Sequence, residues 1–151
     1  MNEVDKAKLH ARLCATGNFY KDHTTVSIQF LNVPGLPASP LPFSPAIRAG
    51  DFLFISGQAS VDNTGKIVND TLKGEVRRSM ANLHRILRGA GLDWNHVVQM
   101  RCYVARQEDL PEYNRVYAQL IPKPYPTRTT LMGCLGTLLK FEVDAVAYCG
   151  K

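Results

Sequence analysis

From Lys140 to Ala147 apolar and polar residues alternate: Phe141, Val143 and Ala145 fall on one side of an extended chain, Lys140, Glu142 and Asp144 on the other. That period of two predicts a strand with one buried face. The same pattern runs from Val97 to Ala105, where Val98, Met100, Cys102 and Val104 alternate with Gln99, Arg101 and Tyr103. Phe52-Leu53-Phe54-Ile55-Ser56 is a short apolar run, expected as a strand buried on both faces. Thr24 to Phe30 is rich in β-formers and predicts a first strand, and Lys66-Ile67-Val68 a short one after the Asp62-Asn63-Thr64-Gly65 turn.

A different period governs Thr71 to Ala90. Leu72, Val76, Met80, Leu83, Ile86, Leu87 and Ala90 recur every three or four residues and predict an amphipathic helix. Asp70 or Thr71 is placed to cap its start and Gly91 to end it. A second helix opens at Asp109-Leu110-Pro111, with Leu110, Tyr113, Val116, Tyr117 and Leu120 on its apolar side. Pro122, Pro124 and Pro126 close it, and Pro34 to Pro45 must be an extended loop. Val4, Ala7, Leu9 and Leu13 allow a short helix that Gly17-Asn18 stops. Residues 1–24 read as an arm of unknown role and 25–151 as a single domain.

The predicted order is strand, strand, short strand, helix, strand, helix, strand, strand: an α+β fold with two helices on one face of a mixed sheet. Two helices cannot cover both faces, so the other is expected to meet another copy of the chain.

Composition changes this picture little. With 151 residues, 45% hydrophobic and 21% charged, the chain is an ordinary globular protein. The net charge is +5, but the basic residues are scattered, with Arg77-Arg78 the one adjacent pair, so no nucleic-acid patch stands out. No apolar run reaches membrane length and the first residues lack an apolar secretion segment, so a cytoplasmic protein with no membrane partner is expected. Cys14, Cys102, Cys134 and Cys149 form no C-x-x-C pair, and the four histidines are dispersed, so reduced thiols and no metal are expected. Cys102 reads as a core residue and Cys134 as a half-buried bystander.

The candidate chemistry lies near the end of the chain. Arg128 follows Pro126-Thr127 and precedes a β-branched run, a fixed cation shortly before the strand that carries Glu142. An arginine fork grips a carboxylate with two parallel hydrogen bonds, and a glutamate moves protons.

In order along the chain, Pro42-Phe43-Ser44-Pro45-Ala46, Ala49-Gly50-Asp51 through Ser56-Gly57-Gln58, Asn82-Leu83, Ala90-Gly91-Leu92, Tyr113-Asn114-Arg115-Val116-Tyr117, Pro126-Thr127-Arg128 and Lys140 to Ala145 resemble the motifs of the reactive-intermediate deaminase family. That family is also called RidA/YjgF or endoribonuclease L-PSP. The likeness spans about Asn32 to Tyr148 and omits residues 1–24.

The resemblance implies a chorismate-mutase-like α+β fold, a homotrimer with clefts between subunits, and no cofactor. It implies hydrolysis of 2-imino and enamine acids of the 2-iminobutanoate and 2-iminopropanoate type to 2-oxo acids and ammonia. Arg128 falls where the family holds the substrate carboxylate and Glu142 where it positions water or shuttles a proton. Thr130 stands where many members have cysteine, at a position whose main-chain carbonyl holds the substrate nitrogen. Phe43 replaces the family's tyrosine. Ser56 and Gly57 resemble the cleft floor, and Asn114 either reaches the cleft or bonds backbone. Asp144 is read as structural. Leu135-Gly136-Thr137 stands in place of the usual Leu-Pro turn. Two other functions stay open: a binding protein for 2-oxo acids without turnover, and the ribonuclease or translation-inhibitor activity in the family's name.

Overall fold

The computed structural model describes residues 28–31, 33, 36 and 41–150. The expected helix near Leu9 and the arm boundary at residue 24 lie outside them. Strand β1 is Ile28–Phe30, β2 Ala46–Ala49 and β3 Phe52–Ala59. Helix α1 is Leu72–Gly89, followed by β4, Val97–Val104, helix α2, Leu110–Leu120, β5, Thr127–Met132, and β6, Phe141–Tyr148. The six strands form one sheet in the order β1-β2-β3-β6-β4-β5. Every neighbouring pair is antiparallel except β4 and β5, which run parallel across the α2 crossover.

Both helices lie on one face, and the alternating residues decide which face. Met100, Cys102 and Val104 of β4 and Phe141, Val143, Ala145 and Ala147 of β6 are buried with Leu53 and Ile55 of β3. Against them α1 sets Leu72, Val76, Met80, Leu83, Ile86 and Leu87, all buried at the predicted spacing. Each such side chain contributes about 1.5–3 kcal/mol when removed from water. Thr71 caps α1, its Oγ1 accepting from Gly74 N, and Gly91 takes a φ of +75° just past the end. A buried carboxylate joins helix to sheet: Glu75 of α1 accepts from Lys140 N at 2.7 Å and Lys140 Nζ at 3.1 Å. This ties down the residue that leads into β6.

Four expectations change. β2 pairs with β3 as a strand of its own, where the sequence shows only the loop's exit. Lys66-Ile67-Val68 forms a single bridge, Val61 to Ile67, and no strand. In β3 only Leu53 and Ile55 are buried, whereas Phe52 and Phe54 are 41% and 44% exposed on the face away from the helices. The register of β4 also slips between Val97 and Gln99. That turns Val97 inward and leaves Val98 exposed, against the simple alternation.

Candidate functional site

The register assigns each site residue to a face. Arg128 pairs with Met100 and Thr130 with Cys102, both core-facing, so Arg128 and Thr130 are on the helix side of edge strand β5. There Arg128 Nη2 donates to Asn114 Oδ1 of α2 at 2.9 Å. Its Cζ sits 4.6 Å from the ring centre of Tyr117 and 5.1 Å from that of Tyr113. Asn114 therefore bonds the arginine rather than backbone. Beneath them the Tyr113 hydroxyl lies close to Cys102 and Thr130 yet forms no hydrogen bond, and burial holds its proton firmly. Burial likewise pushes the Cys102 thiol up to about 11, which keeps it protonated and inert.

Glu142 belongs to the other face. It pairs with Tyr103 of β4 and Ala59 of β3. A bulge between Ile55 and Gln58 inserts one extra residue and turns Ser56 and Gly57 toward the open side. The Glu142 carboxylate lies against Gly57, where a Cβ would collide with Oε1. Ser56 Oγ donates to Ser44 O at 2.7 Å, and Ser56 N to Pro45 O. These bonds fasten Ser44 and Pro45, which follow Phe43, whose ring is exposed. Burial raises the proton affinity of Glu142, and the nearby charge of Asp144 adds to it. Asp144 has its own partners, accepting from Arg101 Nε at 2.9 Å and Tyr103 OH at 2.8 Å.

One chain thus carries two candidate half-sites. Ser56, Gly57 and Glu142 gather on the open face, with Phe43 exposed in the segment bonded to Ser56; Arg128, Asn114 and Thr130 gather on the helix side at the far edge. β6 and β5 present Glu142 and Arg128 to opposite sides of the sheet. The first half-site can exchange a proton at a carboxyl set over bare backbone. The second can bind a carboxylate, since no ion pair occupies Arg128 among the described residues. Cys134 is exposed, not half-buried, on the turn where Gly133 and Gly136 take positive φ. Among the described residues no group of three or more His, Cys, Asp or Glu is arranged to hold a metal.

The sequence reading missed the seat of Arg128. Tyr113 and Tyr117 are four apart on α2, the spacing that stacks side chains on one helix face. They read as core because their rings are buried, and both rings also face the cation.

A six-stranded mixed sheet with two helices on one face defines the class. The sequence model of the endoribonuclease L-PSP family matches residues 36–149, and the chain belongs to that family, the RidA/YjgF group of the sequence reading. It is 36% identical over 109 residues to a RutC family protein of Pyrococcus horikoshii, covering 71% of this chain and 86% of the relative. It is 29% identical over 116 residues to the mouse 2-iminobutanoate/2-iminopropanoate deaminase, covering 76% of this chain and 86% of that one. Its fold is similar to the crystal structure of Escherichia coli TdcF with bound serine, with a TM-score of 0.72 and 26% identity over 81% of this chain and 99% of the other.

Proposed function

We propose that this chain is an imine/enamine deaminase that converts 2-imino and enamine acids of the 2-iminobutanoate and 2-iminopropanoate type to 2-oxo acids and ammonia. It works as a homotrimer in which Arg128 of one copy faces Glu142 of the next. The carrying observation is the Arg128 fork, held by Asn114 at 2.9 Å and free of any ion pair among the described residues. Its planar donors suit a 2-imino acid carboxylate. The apolar residues on the open face, Phe52, Phe54, Val98 and Tyr148, supply a surface for the next copy. The name of the mouse relative and the serine held by TdcF support a small amino-acid-like substrate. A cytoplasmic setting, with reduced thiols, completes the reading.

In this mechanism Arg128 grips the carboxylate and Phe43 walls the cleft. Ser56 and Gly57 form its floor, and the Thr130 carbonyl holds the substrate nitrogen. Water held by Glu142 adds to the imine carbon while its proton passes to the carboxylate. Starting from the protonated imine, the resulting neutral carbinolamine takes that proton on nitrogen, the C–N bond breaks and ammonia leaves, and the hydroxyl passes its proton to the Glu142 carboxylate as it becomes the 2-oxo group. A carboxyl with raised proton affinity serves both steps. The imine carbon is already electrophilic, so positioning supplies most of the acceleration.

The test couples the purified protein to a threonine dehydratase and follows imine decay beside 2-oxo acid formation. Decay accelerated in proportion to added protein is expected; an unchanged rate overturns the reading. One observation favours a second reading, binding without turnover: Phe43 lacks the hydroxyl of the family's tyrosine. Saturable 2-oxo acid binding with no rate in the same assay would select it.

A further inference from the structure

An exposed arginine on an edge strand has four side-chain torsions and ordinarily samples many orientations, each of which must be lost when it grips a ligand. Arg128 is not in that state. The faces of two tyrosine rings hold its guanidinium, 4.6 Å from Tyr117 and 5.1 Å from Tyr113, and the Asn114 amide oxygen holds one corner. The rings are themselves fixed. Tyr117 OH donates to Met100 Sδ at 3.4 Å, Tyr113 lies 5.4 Å from the Phe141 ring, and the two tyrosines meet edge to face at 5.9 Å.

The chemistry of this seat is selective. A carboxylate partner would occupy the fork's N–H groups and cancel its charge before any ligand arrived. Ring faces attract the cation through their quadrupole and use none of its donors. They set the plane of the guanidinium, and Asn114 sets its rotation within that plane. Among the described residues Asn114 takes one N–H of Nη2, and the other N–H of Nη2, with Nε or with Nη1, forms a two-donor edge for a second planar group.

We propose that Tyr117 and Tyr113 are positioning residues, an aromatic platform that holds the Arg128 fork ready for the carboxylate of a 2-imino or 2-oxo acid. This rests on the reading of Arg128 as the carboxylate grip. Because the grip is used equally before and during the chemical step, loss of the platform raises KM and leaves kcat nearly unchanged.

The experiment compares wild type, Tyr117→Phe, Tyr117→Leu and Tyr117→Met, with methionine as a flexible filler should leucine fail to fold. Each is titrated with 2-oxobutanoate and with its neutral amide, assayed in the coupled reaction, and labelled with ¹⁵N-arginine to follow the Arg128 Nε–H resonance. Tyr117→Phe keeps the ring and loses only the bond to Met100 Sδ, and is expected to lie closer to wild type than either aliphatic variant. Tyr117→Leu and Tyr117→Met are expected to bind 2-oxobutanoate about three- to thirtyfold more weakly, the range of a cation–π contact. Their KM rises in step, amide binding is unchanged, and the Arg128 Nε–H loses its ring-current shift. A folded Tyr117→Leu or Tyr117→Met with wild-type carboxylate affinity and an unmoved Arg128 resonance overturns the platform. If wild type binds no 2-oxo acid but the resonance still moves on loss of the ring, the ligand reading falls and the platform stands.

Discussion

Arg128 and Glu142 are set up in opposite ways, and each yields a prediction. Arg128 is a permanent cation placed against rings and an amide, with no ion pair among the described residues. Arg128→Ala removes charge and fork, at a cost of about 2–5 kcal/mol in a desolvated cleft. The specificity constant in the coupled assay should therefore fall by about thirtyfold to several thousandfold while thermal melting shows a folded protein. Arg128→Lys keeps the charge, loses the fork and should recover little. Glu142 is a carboxyl whose folded-state affinity for protons is raised by burial and by Asp144. A raised carboxyl contributes most to stability below its unfolded pKa, and that contribution is lost as the pH rises through the folded value. Glu142→Gln should therefore melt higher than wild type at neutral pH. The gap should close as the pH falls below about 4, where both side chains are neutral. A gap independent of pH would show that the carboxyl is not strained by its burial. The arginine was legible in the sequence because a Pro turn and a β-branched run isolate it; its tyrosine seat was not, since a buried ring reads the same whether or not a cation lies on it.

At the scale of elements, the bulge in β3 decides where the carboxyl stands. Ser56 and Gly57 both turn to the open face because one extra residue enters between Ile55 and Gln58. The space Gly57 leaves is filled by the Glu142 carboxylate. Gly57→Ala should fold, since the displaced group is the end of a side chain, but it should push that carboxyl aside. A shift of about 1 Å in a reacting group costs about a hundredfold. That drop in kcat, with an unchanged melting temperature, is the expected result of coupled kinetics beside melting; wild-type kcat in Gly57→Ala would separate Glu142 from the chemistry. Helix α1, helix α2 and β6 were legible because each carries one period over eight or more residues, and β4 because its alternation is clean from Met100 to Val104. β2 was not. Its four residues, Ala46 to Ala49, are too few to show a period and owe their extended form to pairing with β3. The slips in β3 and β4 were also hidden, because a bulge is fixed by the partner strand and leaves no mark in the local pattern.

For the whole molecule, the placement of the half-sites matters more than their composition. The proposed trimer predicts a result that a self-contained site does not. Mixing Arg128→Ala subunits with Glu142→Gln subunits, unfolding them together and reassembling them, should restore activity, because some clefts receive an intact arginine from one copy and an intact glutamate from another. For equal amounts and random assembly about a quarter of the clefts are whole. Activity near that fraction of wild type, measured in the coupled assay with light scattering to establish size, is expected. A mixture as inactive as its two components would place both residues in one cleft of one chain. The sequence showed that two helices leave a sheet face uncovered. Its alternation also puts Glu142 on that open face. It did not show that Arg128 lies behind, since that depends on the parallel pairing of β5 with β4.

That back-to-back arrangement has a consequence in mass action. A lone chain keeps its anion grip and its proton carrier on opposite sides of a sheet, so on this reading it has no partial activity to fall back on. Turnover per chain then falls with dilution once copies begin to part, and rises again with any ligand that bridges them, because binding across the seam favours the joined state. Substrate becomes a glue as well as a reactant, and the cell's supply of this one chain sets both the number of clefts and the fraction that are complete.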